Sequence, residues 1–265
     1  MFLVRYIILF FIVHSFTFAV REVRLEYKRQ NADSLDFDYK NEYRVITTSM
    51  SEVNKLHALI DGIITETIVD PDFEGKIKIK KIIVVKHIKL NGYEDKSSSE
   101  NLKKPSNYEY LLDKYKGNVQ VVGSKDFRKE DLMNMNIVFP KKKLRSGNTW
   151  KSKYSYFFNL GKRKKISVFG KFKLVSIIDG YAKIIGKFVG DIGKTRKINY
   201  EGRVKLNFDM LFDIENGYFV SGKVSHSLRY ESRTDLAMDY KKFVSDGSRL
   251  GYKLDFKSSF KLKED

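Results

Sequence analysis

The chain has 265 residues, no cysteine and a net charge of +18, from 51 Lys and Arg against 33 Asp and Glu. Without cysteine it can have neither a disulfide framework nor an acylated N-terminal cysteine, so core burial and strand pairing must hold it together. A pI near 9.7 would point a cytosolic protein toward nucleic acid, but the start of the chain changes that expectation.

Met1–Ala19 carries a single charge, Arg5, then an apolar run from Tyr6 to Val13 and a small-residue exit at Thr17-Phe18-Ala19. A charged n-region, a short apolar core and an A-x-A-like site read as a cleaved export signal, with the mature chain beginning near Val20. The run is shorter than the roughly 20 residues a spanning helix needs. Together with the missing cysteines, this predicts an exported protein of a bacterial periplasm or outer envelope. Export removes nucleic acid as the expected partner. It leaves an anionic membrane surface, another envelope protein or an apolar ligand.

Beyond the signal, short alternating runs at Val23/Leu25/Tyr27, Leu35/Phe37/Tyr39 and Tyr43/Val45 predict strands. Ser51–Ile64 is ambiguous. Val53, Leu56, Ile60 and Ile63 have helical spacing with Ser51 as a possible N-cap, whereas the β-branched run Ile63–Val69 reads as strand. In Lys76–Leu90 the parity shifts from Ile77/Ile79 to Ile82/Val84/Ile88/Leu90, which suggests a bulge near Lys80-Lys81. Asn91–Asn107 is polar, Ser-rich and closed by Pro105, and reads as a loop. Lys116-Gly117-Asn118 is expected to turn a hairpin. Phe139–Asn148 breaks the pattern and separates an N-terminal β region, 20–140, from a C-terminal meander, 141–265, within what is best read as one continuous β domain over 20–265.

The C-terminal pattern is clearer. Trp150, Tyr154, Tyr156, Phe158 and Leu160 share one parity, and Ile166, Val168, Phe172, Leu174 and Ile178 alternate up to Asp179-Gly180. Ile198–Ile214 is apolar at every second position, interrupted only by Gly202, and polar in between except at Leu211, so it is a strand with one dry face. At about 3.4 Å per residue it would span roughly 55 Å, which predicts a bend, with Gly202 the natural place. Tyr218, Val220, Val224, His226, Leu228 and Tyr230 continue the pattern. A three-residue loop, Glu215-Asn216-Gly217, would pair Ile214 with Tyr218, Phe212 with Val220 and Phe208 with Val224, keeping every apolar residue on one face. Leu250, Tyr252, Leu254 and Phe256 form a last strand. The expected fold is all-β: an antiparallel meander with long curved strands and little helix, forming an open barrel, a half-barrel or a sandwich.

The sequence holds no His-Glu-x-x-His, Gly-x-Ser-x-Gly or phosphate-binding glycine loop, so no catalytic residue, metal ligand or cofactor is expected. His57, His87 and His226 lack ligand-type spacing, and His226, with the parity of Val224 and Leu228, is expected as a hydrogen-bonded histidine at the core edge. Two basic clusters are candidates for contact with an anionic surface: Lys141, Lys142, Lys143 with Arg145, and Lys162, Arg163, Lys164, Lys165. They flank the Trp150–Leu160 strand and are expected at its opposite ends. The abundant Tyr and Phe fill a core or line an apolar cleft. The expected function is non-enzymatic: binding of an envelope component or apolar ligand, with an integral outer-membrane barrel and a lipid or lipoprotein carrier as alternatives.

From Phe139-Pro140 through Gly147-Asn148-Thr149-Trp150 the chain resembles a loosely defined group of uncharacterised bacterial exported β-rich envelope proteins. In that group a Pro precedes a short basic or polar stretch and Gly-x-x-Trp opens a long strand. The resemblance covers roughly Asn118–Tyr230 and implies a periplasmic or outer-envelope domain, with no catalytic residues to carry over.

Overall fold

The computed structural model describes residues 22–29, 34–49, 52–94, 104–122, 137–160, 162–192, 200–232 and 250–263. The segment expected as an export signal, Met1–Ala19, and Ile198-Asn199 lie outside them. Among the described residues there are twelve strands and no helix: β1 Ser34–Ser49, β2 Glu52–Phe73, β3 Lys76–Leu90, β4 Tyr93–Glu94, β5 Ser106–Asp113, β6 Gly117–Val122, β7 Thr149–Leu160, β8 Lys162–Ile178, β9 Tyr181–Ile192, β10 Tyr200–Asp213, β11 Tyr218–Ser232 and β12 Leu250–Leu262. All pairings are antiparallel, in one open sheet of order β6-β5-β3-β2-β1-β12-β11-β10-β9-β8-β7, with β4 on the side of β3.

The chain starts in the middle of this sheet and walks out to one edge. Residues 137–148 then carry it across to the far edge at β7, and it walks back until β12 pairs β1. The break at Phe139–Asn148 is therefore a crossing between the two edges of one sheet. Trp150 opens β7, and its indole N–H donates to the Val138 carbonyl at 2.9 Å.

The sheet is strongly coiled. Tyr154 on β7 lies 5.8 Å from Phe208 on β10, three strands away, and Tyr156 lies 5.9 Å from His226 on β11. Three strands of a flat sheet would separate such rings by about 14 Å. Inward glycines allow the coiling. Gly170 is paired with Phe188 and Gly186 with Phe172, and a Cβ at Gly186 would lie 2.5 Å from the Phe172 ring. Each ring covers the bare backbone opposite it. The result is a half-barrel whose tightest part, β7–β10, is filled by Phe172, Phe188, Phe208, Leu174 and Ile184, all essentially without solvent contact. Gly202, expected at a bend, is a close approach within β10, where a Cβ would meet the Arg229 carbonyl oxygen at 2.3 Å.

One end of the half-barrel is stoppered by coil. Val23 exchanges backbone hydrogen bonds with Leu144, the Tyr27 N–H donates to Lys114 and the Lys28 N–H to Gly217, while the Phe139 N–H donates to Tyr115. Residues 22–29 thus form an extended plug instead of the strand predicted there. The predicted alternation survives, because Val23, Leu25 and Tyr27 all turn into the core.

Other expectations need correction. The helical option in Ser51–Ile64 is overruled by pairing: β2 runs unbroken and leaves Val53 and Leu56 exposed at 56% and 45%. Tyr93 and Glu94, taken as loop, form β4, and Ser106-Asn107 belong to β5. There is no bulge at Lys80-Lys81, which pair in register with Thr67 and Glu66. The irregularities fall at Lys86, between the Asp61 and Gly62 pairs, at Val69, and between the Asp70 and Phe73 pairs. A slip at Val175 moves Ile177 toward the core and leaves Ile178 63% exposed. The β10–β11 connection has four residues, Ile214–Gly217. Phe212 pairs Phe219, and a bulge at Val220 restores the expected Phe208–Val224 register. Asp213 shapes this loop by accepting from the Asn216 N–H at 2.8 Å. The hairpins at Lys116-Gly117-Asn118 and Asp179-Gly180 form as expected, the second with both residues at positive φ, as a two-residue turn of the primed type requires.

Candidate functional site

The inward strand face should be uniformly apolar, but along β2, β3 and the plug it is not. Glu66 occupies the inward position between Ile64 and Ile68, and Lys81 the one between Ile79 and Ile83. The two are direct cross-strand partners, with Lys81 Nζ 3.2 Å from Glu66 Oε1. Arg29, at the end of the plug and only 6% exposed, places its Nη2 on the other oxygen, Glu66 Oε2. The Tyr110 hydroxyl from β5 also bonds Glu66. Arg29 sits at φ 56, a left-handed conformation uncommon for a non-glycine residue, with its guanidinium 5.7 Å over the Tyr218 ring.

Burial alone would push the Glu66 carboxyl up. Lys81 and Arg29 outweigh burial and hold it below its usual range. Burial pulls Lys81 down, but Tyr108 and Glu66 outweigh that and raise it. Burial pushes the Tyr110 hydroxyl well above its usual range. Glu66 and Lys81 are therefore both charged at neutral pH, and together with the Arg29 guanidinium they set two cations on one anion in a half-buried place.

This cluster forms part of the wall of a cavity of about 530 Å³ on the concave face of the half-barrel. From the cluster the cavity runs along β1 and β12 past Phe37, Tyr39, Tyr43, Phe256 and Phe260 to Tyr156 and His226 on the far strands. Three buried side-chain atoms have no hydrogen-bond partner among the described residues: Arg29 Nη1, Asn41 Oδ1 and His226 Nε2. All three residues line this cavity. Buried polar groups are nearly always paired with protein or water, and all three of these atoms belong to residues around one hollow. His226 keeps its predicted inward parity but lies between Tyr156 and Phe256 without a partner at Nε2. Burial pulls its pKa down to about 4, so the ring is neutral.

A larger groove of about 710 Å³ lies on the other side of the sheet, where Lys40, Lys183, Lys223 and Lys261 alternate with Asp38, Asp61 and Asp209. Its charges are mixed and solvated, and Lys183 already pairs Asp209.

The two basic clusters fall, as expected, at opposite ends of the β7–β8 hairpin. Lys141, Lys142, Lys143 and Arg145 are exposed on the crossing segment just before Thr149, while Lys162, Arg163, Lys164 and Lys165 begin β8 opposite Leu160. The structure does not bring them together. The convex face between them carries exposed Lys151, Lys153, Lys171, Lys173 and Lys187 around Phe169 and Val189, which are 58% and 43% exposed. Lys153 Nζ lies 5.1 Å over the Phe169 ring.

Arg29, Glu66 and Lys81 were not anticipated from sequence. Part of the signal was present in Lys76–Leu90: Lys81 stands at the inward position between Ile79 and Ile83, while the parity change to Ile88 and Leu90 comes from the irregularity at Lys86. Comparison with known protein families and with curated proteins finds no match for this chain.

Proposed function

We propose that the protein is an exported, non-enzymatic carrier that holds an apolar or amphiphilic ligand in the cleft of its half-barrel. The observation that carries this reading is the concave cavity: about 530 Å³, walled by Tyr and Phe, with three orphaned polar atoms at its edge. Ligand pockets have this size and this mixture of apolar wall and few polar groups. The site of action in a bacterial periplasm or outer envelope rests on Arg5, the Tyr6–Val13 run and Thr17-Phe18-Ala19, and on the resemblance to exported envelope proteins.

The distribution of charge favours a carrier over an integral outer-membrane barrel. A membrane barrel turns its apolar face outward, and Lys or Arg on that face costs about 2–4 kcal/mol at the bilayer midplane. Here Lys171, Lys173, Lys187, Arg203 and Lys205 are exposed on the convex face, and the apolar residues turn inward. That same convex face, with Lys around Phe169 and Val189, suits transient contact with an anionic membrane surface from which a ligand is taken or to which it is delivered.

Native mass spectrometry of protein purified without detergent tests the carrier reading. Co-purified lipid, or saturable binding of a fluorescent fatty acid to delipidated protein, is expected. A clean apo mass together with no binding of the probe refutes it.

A further inference from the structure

The geometry points to a single-chain amphiphile with an anionic headgroup as the ligand, its headgroup held by Arg29 and Lys81 and its chain lying along Phe37, Tyr43 and Phe256. This assignment rests on the carrier reading and adds the chemical class of the cargo. The argument begins with charge. Arg29 and Lys81 share one carboxylate, Glu66, which also accepts from Tyr110, so this group, buried at Arg29 and half-buried at Lys81 and Glu66, carries one more positive charge than negative. An unbalanced charge away from water is costly unless something pairs it.

The second observation is independent of the first. Arg29 spends Nη2 on Glu66 and has no partner for Nη1, although the residue is only 6% exposed. A guanidinium is a flat fork suited to two parallel bonds to a carboxylate or phosphate. One side of this fork is used and the other is free beside the cavity. The left-handed backbone at Arg29, φ 56, is a local cost accepted at the residue that carries the fork.

Cavity size and shape select the rest of the molecule. At about 30 Å³ per methylene-sized group, the share of one water in the liquid, 530 Å³ holds about eighteen such groups. That is one acyl chain and not two. The distance from Phe37 to Tyr43 along β1 is about 20 Å at 3.4 Å per residue, so the wall is long enough for an extended chain. Phe37 with Phe260 and Tyr43 with Phe256 form aromatic pairs along it.

The test uses the full exported chain, delipidated, with three probes: cis-parinaric acid, its neutral methyl ester, and lysophosphatidic acid as competitor. The acid is expected to bind at least about tenfold more tightly than the ester, the worth of a charge-assisted hydrogen bond. Arg29→Met, which leaves Lys81 and Glu66 balanced, should bring the acid-to-ester affinity ratio down to about one. Glu66→Gln, which adds one positive unit, should tighten acid binding. Displacement of the acid by lysophosphatidic acid at lower concentration than by unlabelled fatty acid assigns the headgroup as phosphate, and the reverse order assigns carboxylate. Equal binding of acid and ester by the wild type overturns the headgroup assignment and leaves the carrier reading standing. Binding of neither overturns both. Should Arg29→Met not fold, the wild-type acid-to-ester ratio and Lys81→Met still decide the matter.

Discussion

At pH 5 the protein should be about 2 kcal/mol less stable than at pH 7 because of one imidazole. His226 is 5% exposed, with its ring between Tyr156 at 5.9 Å and Phe256 at 5.1 Å, and burial pulls its pKa from 6.5 down to about 4. The unfolded chain therefore binds a proton as pH drops below 6.5, while the folded one resists until about 4. Stability is lost across that window as pH falls, at up to about 1.4 kcal/mol per unit. At pH 5 the difference amounts to about 2 kcal/mol. The carboxylates held low by cationic neighbours, such as Glu66 and Asp255, also lose stability in acid, but only near pH 5 and below, where the unfolded carboxylates begin to protonate. The assay is urea unfolding of the wild type and His226→Leu at pH 7, 6 and 5. Every other titrating group is common to the two, so the difference between their curves reads His226 alone. His226→Leu should equal or exceed the wild type at pH 7, since the orphaned Nε2 is gone, and should lose far less stability on going to pH 5. Parallel curves across that range would refute the reasoning.

Three further outcomes follow from the same structure. Gly186→Ala puts a methyl 2.5 Å from the Phe172 ring and should cost about 1–3 kcal/mol in urea unfolding, as overpacking does; an unchanged midpoint would mean the coil of β8 and β9 does not depend on the bare backbone. Asp213→Ala strips the acceptor from the Asn216 N–H and from the Asn216 side chain at 2.9 Å, so a loss of about 1–3 kcal/mol is expected, with amide exchange at Asn216 accelerated. Replacing Lys141–Lys143 and Lys162–Lys165 by Gln or Ser should sharply weaken cosedimentation with anionic vesicles at low salt and leave the melting temperature nearly unchanged; wild-type protein that ignores both anionic vesicles and cell-wall sacculi would show that these clusters are merely solvated.

The parts of the fold that were legible in the sequence are those in which one physical rule acts alone. Around Phe208 and Val224 one face is dry and the other wet, so alternation and register were both readable, and Asp179-Gly180 could only be a tight turn. Where two rules act together the reading failed. Lys81 and Glu66 satisfy each other across β2 and β3, and a single chain of letters shows only an interrupted parity, because the partner that neutralises each charge lies on another strand. Ser51–Ile64 stayed ambiguous because its spacing is a local property, whereas its pairing with β1 is not. The plug is extended like a strand, but its hydrogen bonds go to turns at Lys114 and Gly217, which no pattern within residues 22–29 encodes. Arg29 was invisible for the same reason: its importance comes from where the plug ends.

The seam between β1 and β12 joins residues about 200 positions apart, Phe37 to Leu262 at one extreme and Thr48 to Gly251 at the other. Until β12 arrives, the sheet exists only as two separate sets of strands, each with a raw edge. Such distant closure makes folding slow, because the loop entropy must be spent before the seam gives any stability in return. On the export reading proposed above, that delay would be useful: a chain crossing a membrane from its N-terminus would stay loose while its last strand was still on the near side, and would lock only once the whole length had crossed.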